Sequence, residues 1–483
     1  MSLDPTDWNA VRALGRRMVD DMVDYLETVR ERPVWQTVPP EVKGRLEEGV
    51  PRAGESLEAV YAAFRRDVLP YPTGNIHPRF WGWVMGTGSA TGMLAEMLAA
   101  GMNPHLAGYD QSAALVERQV LGWLKALMGY PEGASGLLVS GGTAANLNAL
   151  IAARVARCGF DVRQDGLAAG PPLTVYGSAE THSWILKACE TMGLGRQAFR
   201  AIPVDDQYRL DLAACRARIE ADIAAGCRPF AIVGNAGTVN TAAVDDLVGC
   251  RALADEFGLW FHIDGAFGAL AAWSDEPELV AGQASADSLA FDLHKWGYMP
   301  YEVGVVLTRD GQAQTSAFQP PQVGGPAYLQ SARGGASADT TYFADRGLQL
   351  SRGFRALKVW MSMKEQGVDR IGAAIQRNID QARCLERLIG ADPDLELLAP
   401  VAMNVVCFRY APAGADPAML NALNQEILIA LQSRGIAVPS QTVLQGRFAI
   451  RVCITNHRSE DADFDVLVTA VKQIAAELGP VGV

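Results

Sequence analysis

The sequence predicts an α/β protein, with a mainly parallel sheet in its larger part and a smaller α+β unit after it. Two observations carry this. Between Ala113 and Thr308, segments that are apolar throughout alternate with helical patterns, and a strand with no polar face has to be covered on both sides. Past Arg355 that rhythm gives way to two long helical patterns, then to strands separated by single helices.

Taken in order, Val11, Leu14, Met18, Met22, Leu26 and Val29 recur every three or four residues and make one apolar helical stripe. Asp4-Pro5 is a suitable start for that helix. The stripe needs a partner surface, on its own subunit or on a second one. Residues 32–73 are rich in proline and read as a connector around one helix, Leu57–Val68. A helix at Ala113–Met128 then leads to "GLLVSGGTAANLNAL", a short strand, a glycine turn and a long helix. "LTVYGS", "FRAIPV", "PFAIVGNAGT", "LWFHIDGA", "SLAFDLHKW" and "VGVVLT" follow as strands, with helices at Leu212–Ala225, capped by Asp211, and at Leu247–Phe257. The last part holds helices at Ile371–Leu388, Ala418–Arg434 and Asp461–Leu478 around the strands "NVVCFRY" and "FAIRVCIT". These shifts divide the chain into an N-terminal helical segment (1–75), a large domain (76–375) and a small C-terminal domain (376–483).

Composition narrows the function. A formal charge of −12 over 483 residues disfavours nucleic acid and anionic membranes as partners. No apolar run approaches the ~20 residues of a membrane span. The N-terminus lacks the basic and apolar regions of a signal peptide. Eight scattered cysteines without a CxxC pair read as reduced core thiols, which makes the cytoplasm the expected compartment.

Ligands of open parallel sheets bind at the carboxyl ends of the strands, and four motifs fall there. Ser140-Gly141-Gly142-Thr143 lies between a strand and a helix, where bare backbone N–H groups and the helix N-terminus suit a phosphate. A plain tight turn explains it equally well. His182 follows "LTVYGS", and a lone histidine is more often structural. Asp264 ends an apolar strand, followed by Gly265 and Ala266. A carboxylate there is either a local hydrogen-bond acceptor or the partner of a protonated ring nitrogen. In "SLAFDLHKW", Lys295 is the one lysine of seven that follows a buried strand. An amine so placed forms Schiff bases with carbonyl cofactors. Phosphate turn, carboxylate and lysine together describe a site for pyridoxal 5′-phosphate (PLP), in which the ring is an electron sink.

In this order, "HPRFWGWV", "SGGTAANLNAL", "ETHSWILKA", "NAGTVNTAAVDDL", "WFHIDGAFGA", "SLAFDLHKW" and "LQLSRGFRALKVW" resemble the group II PLP-dependent decarboxylases, and among them the aromatic-L-amino-acid decarboxylases. The likeness runs to about Thr455. It implies the fold-type I PLP-dependent transferase fold, with a seven-stranded large domain and an intertwined homodimer whose active sites lie at the subunit interface. It also implies residue roles. Lys295 binds PLP, Asp264 pairs with the ring nitrogen, His182 stacks on the ring and Ala266 faces its other side. Gly141, Gly142, Thr143 and His294 surround the phosphate with Asp292 nearby, and Thr238 lies near the ring hydroxyl. Phe80, Trp81 and Trp83 fall in the motif that lines the substrate site of relatives. The place of a proton-donating loop tyrosine falls on Phe343, beside Tyr342, and some relatives with phenylalanine there make aldehydes. The expected reaction is decarboxylation of an aromatic L-amino acid, with an aldehyde-forming reaction or an acidic substrate as alternatives. Two other readings remain: a metal hydrolase using His182, His262 and Asp264, and a catalytically dead dimer that keeps the fold. The first leaves Lys295 and the glycine turn unexplained, and no metal is expected.

Overall fold

The computed structural model describes residues 2–320, 335–336 and 341–479. It divides into two compact units. One comprises Val84–Glu386 and Ala399–Cys407; the other comprises Met1–Trp83, Arg387–Leu398 and Phe408–Val483. The stretch "GGPAYLQSARGGASADTTYFADRG" lies mostly outside the described residues.

The first unit is built on a seven-stranded sheet. Its spatial order is Ser135–Val139, Gly304–Thr308, Ser288–Asp292, Trp260–Asp264, Arg228–Asn235, Leu173–Ser178 and Phe199–Ile202. Gly304–Thr308 is antiparallel to both its neighbours, and the remaining pairings are parallel. The mainly parallel seven-stranded sheet expected from the sequence is therefore present. Its central strands are buried at every position, because helices such as Gly142–Arg157 and Trp184–Thr191 cover them. Leu150, Val175, Trp184, Ile185, Phe230, Val233 and Trp260 form one of the cores so enclosed. Helix boundaries follow local chemistry. Asp211 accepts a hydrogen bond from the Ala214 N–H at 2.9 Å and starts Leu212–Ala224. Gly258, at φ 66°, ends Leu247–Phe257.

In the other unit the N-terminal helix runs Trp8–Glu27, and its cap is Asp7, not Asp4. The Asp7 carboxylate accepts from the N–H groups of Asn9 and Ala10 at 2.9 and 3.1 Å; Asp4 instead accepts from the Ser2 hydroxyl. The predicted stripe is only half-buried: Leu14 is enclosed, while Val11, Met18, Met22 and Leu26 stay partly exposed. Phe80–Trp81 runs parallel to Val438–Leu444, which pairs antiparallel with Arg447–Cys453. The helices Pro417–Ser433 and Asp461–Leu478 belong to the same unit.

Beneath the glycine turn of the sheet unit lies a fully buried ion pair, Glu117–Arg352. Arg352 also donates to the Leu106 carbonyl at 2.7 Å and to the Leu138 carbonyl at 2.8 Å. It thus ties the chain before the turn to the segment 349–355. Burial raises the Glu117 pKa, with the guanidinium pulling the other way. Removing one partner would strand the other in the core. Arg352→Met should cost about 3–5 kcal/mol, read as a drop in the thermal unfolding midpoint, and the double variant with Glu117→Gln should recover part of it.

Candidate active site

Lys295 follows the strand Ser288–Asp292 through a tight turn in which its N–H bonds back to the Asp292 carbonyl at 3.2 Å. Its Nζ lies 3.0 Å from Asp292 Oδ2, and the lysine side chain keeps 22% of its surface exposed while that of Asp292 keeps 1%. Burial alone would push the amine toward neutrality. The carboxylates of Asp292 and Asp264 and the phenol of Tyr301 outweigh it, and the pKa of Lys295 ends above its ordinary value. The lysine at the end of a buried strand is therefore an ammonium held by a buried counter-ion.

Asp264 ends the adjacent parallel strand. Its Oδ2 accepts from the Trp184 indole N–H at 2.5 Å and its Oδ1 from the Ala266 N–H at 3.1 Å. The Ala266 carbonyl in turn accepts from the Asp292 N–H at 2.8 Å, which links the two strand ends. His182 precedes the helix that carries Trp184, and its Nδ1 accepts from the Trp184 backbone N–H at 3.2 Å. The ring is open to solvent on one side. Its pKa is lowered by partial burial and by Lys295, against the pull of Asp264.

Gly141 and Gly142 open the helix Gly142–Arg157 with no side-chain cap, so the first N–H groups are left for a ligand. The spacing explains the glycines. A Cβ on Gly142 would sit 3.0 Å from Asp292 Oδ2, and one on Gly304 would sit 2.6 Å from Gly141 Cα. Thr143 is exposed at the start of this helix. His294 Nε2 lies 3.8 Å from Asp292 Oδ2, while its Nδ1 is near the carbonyl and N–H of Val303, at 3.0 and 3.1 Å. Asp292 Oδ1 is buried without a hydrogen-bond partner.

These residues fit PLP. An uncapped helix start with room only for glycine suits the phosphate. A buried carboxylate already fixed by two donors suits a protonated ring nitrogen, and an exposed-tipped ammonium suits the aldehyde. Asp292, expected beside the phosphate, stands as the counter-ion of Lys295.

The structure thus brings Lys295, Asp264, Ala266, His182, Asp292, His294, Gly141 and Gly142 to one edge of the sheet. Thr238 is buried in a turn of the same unit, its hydroxyl 3.1 Å from that of Thr241. Other predicted residues have packing roles. Trp81 is 1% exposed, stacks on Phe464 at 5.1 Å and donates to Ser459 Oγ at 3.1 Å. Phe343 is fully buried, its ring 5.2 Å from the Arg352 guanidinium. Both are core side chains in this chain's own fold, because each is enclosed by neighbours that leave no face open. Phe80 is buried as well, and Trp83 is 53% exposed with φ 52°. Tyr342 meets Tyr109 edge-on at 6.2 Å. Arg451 is buried and donates to the Trp83 carbonyl at 2.7 Å. His262 spends both ring nitrogens on Asn146 Oδ1 and Ser288 Oγ, at 2.7 and 2.8 Å. Among the described residues no group of three His, Cys, Asp or Glu gathers as a metal site.

Sequence reasoning missed Tyr301, whose ring lies on that of His294 with centroids 4.5 Å apart. It also missed Gly86, where a Cβ would be 1.9 Å from the His294 carbonyl oxygen. Neither sits in a recognisable motif. A second missed feature is Lys358, only 3% exposed, which bonds the carbonyls of Pro300 and Glu302 at 3.2 and 3.0 Å and pairs with Glu96 at 2.5 Å.

Comparison with known proteins agrees with this geometry. Residues 39–411 match the pyridoxal-dependent decarboxylase conserved domain. The chain is 32% identical to an aromatic-L-amino-acid decarboxylase of Bacillus atrophaeus, over 97% of this chain and 96% of that one. It is 30% identical to a phenylacetaldehyde synthase of Arabidopsis thaliana, over 94% of this chain and 93% of that one. A crystal structure of Oryza sativa TDC with PLP and tryptamine superposes with a TM-score of 0.90 at 27% identity, covering 99% of this chain and 100% of the other. The chain belongs to the pyridoxal-dependent decarboxylase family and is a PLP-dependent amino-acid decarboxylase of fold-type I.

Proposed function

We propose that this enzyme decarboxylates an aromatic L-amino acid to the corresponding amine, and that Lys295, Asp264 and His182 are its catalytic residues. The observation that carries the assignment is the Lys295 ammonium beside Asp292, on the same sheet edge as the Asp264 carboxylate and the uncapped helix start. PLP, when bound, supplies the aldehyde that an amine can capture and a ring able to accept an electron pair. Lys295 presents the amine. Asp264, fixed by Trp184 and Ala266, offers a negative charge in a buried setting and so favours a proton on the ring nitrogen. The N–H groups after Gly141, with the hydroxyl of Thr143 and the ring of His294, bind the phosphate. Ala266 leaves room for one face of the ring, His182 covers the other, and Thr238 supports the ring hydroxyl. Asp292 holds the lysine in place.

The aromatic substrate class is supported by the relatives, and by the tyrosines and tryptophans of the sheet unit: Tyr109, Trp184, Tyr301 and Tyr342. A homodimer is supported by half-exposed apolar helices in each unit. Trp8 and Val23 are 59% and 44% exposed on Trp8–Glu27, and Met97 and Met102 are 51% and 57% exposed on Ala90–Met102. All eight cysteines are free, which suits a reducing cytoplasm. No helix among the described residues is long and apolar enough to cross a membrane. A second reading, oxidative conversion to an aldehyde, is favoured by the phenylacetaldehyde synthase among the relatives.

Three measurements test these assignments. A panel of the standard amino acids plus DOPA and 5-hydroxytryptophan, assayed for carbon dioxide, amine, ammonia and peroxide, should give carbon dioxide and amine from aromatic substrates only. Lys295→Ala should abolish turnover and the visible cofactor band; a band that borohydride still fixes onto the chain would refute the assignment. Trp184→Phe removes a donor to a buried carboxylate, worth about 1.5–3 kcal/mol for a bond to a charged group. PLP should then bind about ten to a hundred times more weakly, measured by titrating the apo-protein.

A further inference from the structure

The long helix Val368–Gly390 turns an apolar stripe of Ile371, Ile375, Ile379, Ala382 and Leu385 into the interior, and two amides, Asn378 and Gln381, share its buried side. A buried amide is tolerated where its hydrogen bonds are met. Here the partners belong to the turn that carries Lys295. Asn378 Oδ1 accepts from the Trp296 indole N–H at 3.0 Å and from the Tyr298 hydroxyl at 2.8 Å. Asn378 Nδ2 donates to Gln381 Oε1 at 2.9 Å, which settles the way the amide faces. Trp296 and Tyr298 are themselves buried. Burial raises the Tyr298 pKa, so the phenol keeps its proton and serves as the donor.

The turn needs such a support because its own bonds are long. The Lys295 N–H reaches the Asp292 carbonyl at 3.2 Å, and the Tyr298 N–H reaches the Lys295 carbonyl at 3.4 Å. Tyr298 also sits at φ 56°, a left-handed conformation that residues with side chains rarely adopt. Gly297, between the two donors, has no room for a Cβ, which would lie 2.7 Å from the Leu293 carbonyl oxygen. We propose that Asn378 is a positioning residue for Lys295: one carbonyl oxygen grips the residues one and three places after the lysine and so fixes the turn from which the amine projects. The inference rests on the PLP reading above and adds a residue that acts through Trp296 and Tyr298. Lys358 holds the far end of the same segment through the carbonyls of Pro300 and Glu302. With the Asn378 acceptor removed, two buried donors lose their shared partner. The turn then relaxes toward other acceptors, and the Lys295 amine loses its fixed place 3.0 Å from Asp292. Orientation matters at that atom, since a misplacement of about 1 Å can cost roughly a hundredfold in rate.

The test uses the full-length protein, stripped of PLP and reloaded, with Asn378→Leu, Tyr298→Phe and the two combined. Stopped-flow absorbance follows the growth of the visible cofactor band at saturating PLP, and borohydride fixation confirms that the cofactor sits on Lys295. In Asn378→Leu the band should form roughly tenfold more slowly or worse. The visible circular dichroism of the reloaded protein, divided by the absorbance of the band, should weaken, because the ring is no longer held at one angle. Tyr298→Phe removes one of the two donors and keeps its ring, so both readouts should move the same way by less. The combined variant should match Asn378→Leu, since the hydroxyl acts through the acceptor already lost. Wild-type rate and dichroism in Asn378→Leu would overturn the proposal even with a lowered thermal midpoint, because Asn378 would then serve stability alone. Losses that multiply in the combined variant would overturn it as well, since the two residues would be acting separately. If Asn378→Leu does not fold, Tyr298→Phe decides alone: a slower band with weaker dichroism supports the proposal, and wild-type values refute it. Failure of the PLP reading itself would show differently, as a wild-type protein that borohydride does not fix at Lys295.

Discussion

The rest of the site depends on one electrostatic constraint: an ammonium and a carboxylate share the carboxyl end of a buried strand, with little water to screen either. Asp292 can be buried to 1% because Lys295 lies 3.0 Å from it, and Lys295 stays protonated because Asp292, Asp264 and the Tyr301 phenol together outweigh the desolvation it suffers. That pairing occupies the space where neighbouring strands and turns would otherwise place side chains. Gly142 and Gly304 are the consequence, since a Cβ on either would sit 3.0 or 2.7 Å from an Asp292 oxygen. The glycine turn that looks from the sequence like a phosphate motif is thus also a steric requirement of the ion pair behind it. One set of residues meets both demands.

Alternation along the strand Trp260–Asp264 puts His262 and Asp264 on the same face, yet they do unlike work. His262 is sealed: Asn146 and Ser288 take its two nitrogens, the Trp184 ring meets it edge-on at 6.0 Å, and burial pushes its pKa down to about 3. It is a neutral spacer. Two residues on, Asp264 receives the indole N–H of the same Trp184 on one oxygen and the Ala266 N–H on the other. A single tryptophan therefore closes one polar residue into the core and aims the next outward. This is also why the metal reading of His262 with Asp264 fails in physical terms, as no lone pair of that histidine is free.

Residue types that must be rare in a core were legible in the sequence. Lys295, Asp264 and the Gly141-Gly142 turn stood out because each contradicts the apolar pattern around it. The alternation of wholly apolar strands with helices was enough for the sheet. Legibility ended where function depends on approach across the fold. Tyr301 follows a proline in a short loop and carries no pattern; its relation to His294, Lys295 and Gly86 exists only once Lys358 has drawn that loop down. Aromatic residues are ambiguous in a different way. Trp81 and Phe343 lie in motifs shared with relatives, but a large ring is worth more enclosed than exposed, and both are consumed by the core. Asp7 took the helix cap from Asp4 because a cap must lie within three residues of the N–H groups it serves.

Lys358 is buried and Lys295 only partly so, and comparing them shows what makes Lys295 chemical. Lys358 is satisfied by two carbonyls and the Glu96 carboxylate, and nothing remains for its amine to do but hold the loop. Lys295 has one close carboxylate, and 22% of its side chain is open. An ammonium is no nucleophile, so its proton has to leave when a ligand arrives. His182, with its pKa lowered by partial burial, is a neutral base facing the same charge. The strong pairing keeps the amine unreactive in the free chain.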